Sequence, residues 1–122
     1  MKKDKTLVLG ASPNPARYSF LAIERLRAHQ QLVIAVGRRK GSVAGVDIST
    51  EPVMSDEVDT VTLYMNPRNQ EAYYNYILDL HPRRIIFNPG TENPELMKMA
   101  REKNIETVVA CTLVMLSTNQ YS

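Results

Sequence analysis

A single cysteine, Cys111, is all the thiol this chain contains, which excludes an internal disulfide and any multi-cysteine metal site. Histidine is nearly as scarce. His29 and His81 fall at the ends of expected helices, where imidazole suits the helix dipole, and neither has a metal-ligating or catalytic partner at a recognisable spacing. No apolar run approaches the ~18 residues of a membrane span. The net charge of +2 is too small for nucleic-acid binding over the whole surface. Internal repeats, low-complexity segments and linkers are also missing.

What is present describes one ordinary globular domain. The chain has 122 residues, 43% hydrophobic and 23% charged, enough to bury about two-thirds of its unfolded surface. The opening MKKDKTLVLG is basic and then apolar, but its apolar part stops at Gly10. It reads as a solvated start over residues 1–5 followed by a first strand, Thr6 to Leu9, and the chain as cytoplasmic.

Apolar strands then alternate with helices. The first helix follows Pro13 and Pro15, with Asn14 or Ser19 as its cap, and runs to about Gln30. Leu32 to Val36 is a continuous apolar strand that Gly37 ends. Residues 41–55 lack a clear period and read as a long connection, with a short extended piece near Val46 to Ile48. Val58 to Met65 is the third strand. Tyr73, Tyr76, Ile77 and Leu80 set a helical period over 69–80, which Pro82 stops. Arg84 to Phe87 is the fourth strand, Asn88-Pro89-Gly90 a turn, and Asn93-Pro94-Glu95 the start of a third helix that ends near Asn104. Glu106 to Ala110 is the fifth strand, and Thr112 to Leu116 a short last helix or turn. This alternation predicts a three-layer α/β sandwich with a parallel five-stranded sheet in the order 3-2-1-4-5. Its ligand crevice lies at the carboxyl ends of the first and fourth strands.

Three turns meet at that edge. Gly10-Ala11-Ser12 joins the first strand to its helix, where free N–H groups and the helix dipole attract phosphate, and glycine lets backbone approach an anion. Arg17 and Ser19 stand where they add a guanidinium and a hydroxyl. The glycine fingerprint of dinucleotide-binding turns is incomplete, because Ser12 and Pro15 occupy its second and third glycine positions. After the second strand, where an acid would hold an unmodified ribose, stand Gly37, Arg38, Arg39 and Lys40. That favours a nucleotide with a phosphate on its ribose, and coenzyme A and NADP both qualify.

These residues carry a family resemblance over Leu7 to about Leu116. Gly10-Ala11-Ser12, Asn14-Pro15 with Arg17 and Ser19, Asn88-Pro89-Gly90 with Asn93, and Cys111 resemble the small CoA-binding proteins. Their single Rossmann-like domain is similar to the CoA-binding domain of the succinyl-CoA synthetase α subunit. The resemblance implies that the first turn, Arg17 and Ser19 hold CoA phosphates and that the loop after the second strand holds the adenosine 3′-phosphate end. It implies that Met65, Asn66 and Asn88 flank the rest. The chain departs from the family at Gly37-Arg38-Arg39, where many members have Asn-Pro, and at Asn88, where many have Gln. The synthetase's second domain, with its phosphorylated histidine, is absent from this sequence.

Plainer readings stand beside these. Gly10 to Ser12 and Asn88 to Gly90 also suit ligand-free turns, and Arg38 to Lys40 also suits solvated surface. Cys111 suits a small buried hydrophobe, with no base in view to activate it. Tyr73 and Tyr76 are core contacts, while Tyr74 and Leu78 lie off that face as a possible homodimer contact. The expected function is a module that binds a small nucleotide ligand, coenzyme A or acyl-CoA, without a catalytic constellation, a metal, nucleic acid or a membrane. The alternatives are an NADP-binding redox protein, for which the chain lacks a substrate domain, and a ligand-free protein-interaction module.

Overall fold

The structure is a computed structural model that describes residues 3–122, so the first two residues of the expected solvated start lie outside the described residues. The strands are β1 (Lys5–Ala11), β2 (Leu32–Gly37), β3 (Gly41–Val43), β4 (Val46–Ser49), β5 (Val58–Leu63), β6 (Arg84–Phe87) and β7 (Glu106–Val109). The helices are α1 (Tyr18–Ala28), α2 (Pro67–Gln70), α3 (Tyr74–Leu80), α4 (Pro94–Glu102) and α5 (Thr112–Ser117), with a 3₁₀ turn, Glu71–Tyr73, between α2 and α3.

Side-chain alternation along β1 builds the layers. Leu7 and Leu9 point to α3 and α4 with Val61, Leu63, Ile85, Phe87 and Leu96. Val8 points the other way, to Ile23 and Leu26 of α1, Leu116 of α5, and Ile86. Covered on both faces, the central strands are apolar throughout, as parallel strands between helices must be. The Rossmann-like three-layer α/β class holds.

The sheet itself differs from expectation in number and assignment. Among the described residues it has seven strands, in the order β3-β4-β2-β1-β5-β6-β7. The slot beside β2 belongs to β4, the short extended piece of the long connection, which runs parallel to β2 through Ala35↔Ile48 and Val36↔Ser49. Val58–Leu63, expected in that slot, pairs with β1 on its other side. The order therefore reverses between β1 and β5, and the ligand crevice moves there from the Arg84–Phe87 strand.

The physical reason is a hairpin without its usual signal. β3 and β4 pair antiparallel, with Val43 opposite Val46. The two residues between them, Ala44 and Gly45, have φ of 50° and 80°. Two positive φ values in a two-residue loop describe a type I′ turn, which asparagine or aspartate before glycine would announce and alanine conceals.

Helix ends were more legible. Asn93 caps α4 by accepting from the Leu96 N–H at 3.1 Å, and Asn104 takes φ 60° just beyond it. The cap of α1 is a correction: it is Arg17, extended and without a side-chain cap bond. Ser19 is instead the second helical residue. Asn14 accepts from the Ala16 N–H at 3.0 Å, an Asx turn that precedes the helix. Leu78 is a second correction. It is buried in the core beside Ile77 and so offers no dimer contact, while Tyr74 is half-buried and donates to Glu95 at 3.0 Å.

Ala44 sits where an L side chain crowds the following carbonyl at a cost of about 1 kcal/mol, which asparagine largely escapes. Ala44→Asn is therefore expected to raise stability by about 0.5–1 kcal/mol in urea denaturation. A midpoint that falls or stays put would contradict the turn assignment.

Candidate functional site

Backbone meets backbone where the strands end. Gly10 has φ +96° and interrupts the β1–β2 register. A Cβ there would lie 2.8 Å from the Tyr64 carbonyl carbon and 3.1 Å from the Met65 nitrogen. Gly37 is tighter: its Cβ would stand 2.0 Å from the Ala11 carbonyl oxygen. Gly41 closes the third side, with a Cβ position 2.6 Å from Pro13 Cβ. These contacts bring together the turn after β1, the end of β5 and the loop that carries Arg38, Arg39 and Lys40.

The turn's remaining donors are few. Pro13 and Pro15 have no N–H. The Asn14 N–H goes to Ser12 Oγ at 3.1 Å, and Ala16 and Arg17 donate to Asn14. The N–H groups of Tyr18 and Ser19, at the first two positions of α1, have no intrahelical acceptor. Ser19 is 3% exposed and belongs to the inner stripe of α1. Arg17 is exposed at the same place. Arg17, Arg38, Arg39 and Lys40 join no ion pair among the described residues, where the paired cations are Lys5 and Arg83. Backbone donors and free cations at the start of an 11-residue helix suit a phosphate-bearing ligand.

The far side of the crevice is built from amides that are already occupied. Asn88 is buried. Its Nδ2 donates to Thr62 Oγ1 at 2.7 Å and to the Leu63 carbonyl at 2.8 Å, while its Oδ1 accepts from the Thr112 N–H at 2.8 Å. It clamps the ends of β5 and β6 to the start of α5. Pro89 and Gly90 are exposed, and Gly90 has φ +89° in a turn closed by Thr91 N–H to Asn88 O at 2.9 Å. Asn66 caps α2 by accepting from the Asn69 N–H at 2.9 Å, and Met65 is half-buried against the core.

Gln70 is the residue that sequence reasoning missed. It is fully buried. Its Nε2 donates to the Met65 carbonyl at 2.9 Å and the Thr91 carbonyl at 2.8 Å, and its Oε1 accepts from Asn93 at 2.9 Å. It thus fixes the loops after β5 and β6 relative to each other. The Asn66-Pro67 cap was the available signal, because it starts a helix whose fourth residue points inward.

Tyr64 and Cys111 lie beside Thr112. The Thr62 and Thr112 hydroxyls bond each other at 2.8 Å, which leaves the enclosed Tyr64 hydroxyl without a partner. Burial, with the Cys111 thiol nearby, pushes that phenol well above its ordinary range, so it stays protonated. Cys111 is a half-buried free thiol. No group of three or more His, Cys, Asp or Glu able to hold a metal occurs among the described residues.

A family model described as a CoA binding domain matches residues 4–117. A solved structure of an uncharacterized protein is 54% identical, with a TM-score of 0.93, covering 98% of this chain and 99% of its own. A hypothetical protein from Pyrococcus horikoshii OT3 is 21% identical with a TM-score of 0.84, covering 98% of this chain and 85% of its own. A protein from Thermus thermophilus is 22% identical with a TM-score of 0.78, covering 96% and 90%. The last two share the fold. No protein of curated function matches in sequence.

Gln70→Ala would remove three buried hydrogen bonds and strand the Met65 and Thr91 carbonyls. It is expected to cost about 2–4 kcal/mol in chemical denaturation. A loss below about 1 kcal/mol would mean that the two loops hold their positions without it.

Proposed function

Because the chain belongs to the CoA binding domain family, we propose that it binds coenzyme A or an acyl-CoA across the β1–β5 edge, as a binding or sensing module. The observation that carries this reading is the start of α1, where helix N–H groups without an intrahelical acceptor stand beside Arg17, which joins no ion pair among the described residues. The ligand's diphosphate is held there by Ser12, Arg17, Ser19 and the N–H of Tyr18. Its ribose 3′-phosphate lies toward Gly37, Arg38, Arg39 and Lys40, a loop held near the turn by the Gly41–Pro13 contact. The arm then runs toward Met65, Asn66 and the Asn88-Pro89-Gly90 turn. Asn88 contributes as the clamp under that end, since its amide is committed internally.

No step of chemistry is assigned to these residues. Cys111 and Tyr64 have no base beside them among the described residues, and the phenol stays protonated. Nothing in the family match supports the NADP alternative. The chain acts by holding the ligand, and phosphate recognition by fixed N–H groups and guanidinium forks supplies affinity without a conformational step.

Calorimetric titration tests this directly. Coenzyme A is expected to bind at least about tenfold more tightly than dephospho-CoA, since charged hydrogen bonds contribute ~1.5–3 kcal/mol each. Arg17→Ala should weaken coenzyme A by the same range. Equal affinity for both ligands would move the 3′-phosphate away from Arg38 to Lys40. No heat from coenzyme A would overturn the reading.

A further inference from the structure

The geometry points to Tyr18 as the platform against which the non-nucleotide arm of the ligand lies, an inference that rests on the CoA reading above. Tyr18 is the first residue of α1 and is 75% exposed, more than any other large hydrophobic side chain described. Its hydroxyl bonds to nothing among the described residues. Arg17 and Tyr18 thus offer a cation and a ring in succession, and both are exposed at the start of the helix.

Helical geometry fixes which way the ring faces. Ser19, Ala22, Ile23 and Leu26 form the buried stripe of α1. Tyr18 and Arg27 are nine positions apart, about two and a half turns, and so stand on opposite flanks of that stripe. Arg27 lines a groove of about 480 Å³ with Leu32, Val46 and Asp47, on the β2–β4 side. Tyr18 therefore faces the other flank, toward α5, which packs beside α1, and toward the end of β5. That is away from Arg38 to Lys40. A ligand with its diphosphate at the start of α1 and its ribose phosphate on the basic loop must send its remaining arm past this ring. The arm of coenzyme A is a chain of amides and methylenes, which aromatic faces accept without a fixed hydrogen-bond pattern.

The test compares coenzyme A with adenosine 3′,5′-bisphosphate, which has the nucleotide end and no arm, by calorimetry at fixed salt. Tyr18→Ala keeps the backbone N–H that faces the phosphates, so it is expected to weaken coenzyme A about three- to tenfold, the range of an aromatic contact, and to leave the bisphosphate, which never meets the ring, unchanged. Tyr18→Phe should keep the wild-type affinity for both. The chain has six tyrosines and no tryptophan, and Tyr18 is the one that is exposed. Coenzyme A should therefore quench tyrosine emission in the wild type and much less in Tyr18→Phe. Unchanged coenzyme A affinity in Tyr18→Ala, or an equal loss for both ligands, would reject the platform while leaving the CoA reading intact. A wild type that does not bind coenzyme A would reject both.

Discussion

Three strand ends touch with no side chain between them, and the organisation of the site depends on that contact. β1 closes on β5 at Gly10 and on β2 at Gly37, in each case with backbone where a Cβ would otherwise stand. Neither glycine serves mainly to make room for a ligand. Gly10 carries a positive φ and a bulge, so the chain leaves the sheet sharply. Gly37 has no unusual φ and is constrained by space alone. The tight junction places the start of α1 directly above the point where strand order reverses, which is where open α/β sheets leave a crevice. The basic loop is then held near it by Pro13 against Gly41.

Polar groups divide sharply around this junction. On the β5–β6 side, Asn88, Gln70, Asn93 and Thr112 are buried and bonded to one another or to backbone. Such networks are costly when half-satisfied and rigid when complete, and here they set the height of the loops after β5 and β6. On the α1 side the groups are idle: the first helix N–H groups and Arg17. A rigid wall facing a set of unsatisfied donors is the arrangement expected of a preorganised anion site, because little ordering remains to be done on binding.

Much of this was legible and some was not, for identifiable reasons. Strands β1, β2, β6 and β7 announced themselves as apolar runs between turn residues, and Asn93-Pro94 and Asn104 marked both ends of α4. The β3–β4 hairpin was hidden because Ala44 takes a left-handed conformation that asparagine usually signals, and the displaced strand order followed from that one omission. Ser19 looked like a cap because of its residue type. The Asx turn at Asn14 had already set the entry, which left Ser19 inside the helix on its buried face. Gln70 was illegible because burial of a long amide depends on carbonyls more than twenty residues away in one direction. Gly10, Arg17 and the basic triplet were readable because their chemistry is local to the turns that carry them.

Charge adds a further step to the argument. The chain is nearly neutral overall, at +2, yet its charges are not evenly mixed. The ion pairs gather where strands begin: Lys5 with Glu57, and Arg83 with Asp59 and Glu106. Desolvation opposes ionisation of Asp59, but hydrogen bonds from Arg83 and Thr60 outweigh it and hold the carboxyl below its ordinary range. Arg84, buried beside it, donates to Thr60 at 2.9 Å and stacks on the Tyr121 ring. At the opposite edge, where strands end, Arg17, Arg38, Arg39 and Lys40 have no such partners. Cations paired at one edge and free at the other give a small protein a directed field without a large net charge. Free cations at that edge, rather than overall composition, are what suits an anionic ligand in the binding reading proposed here.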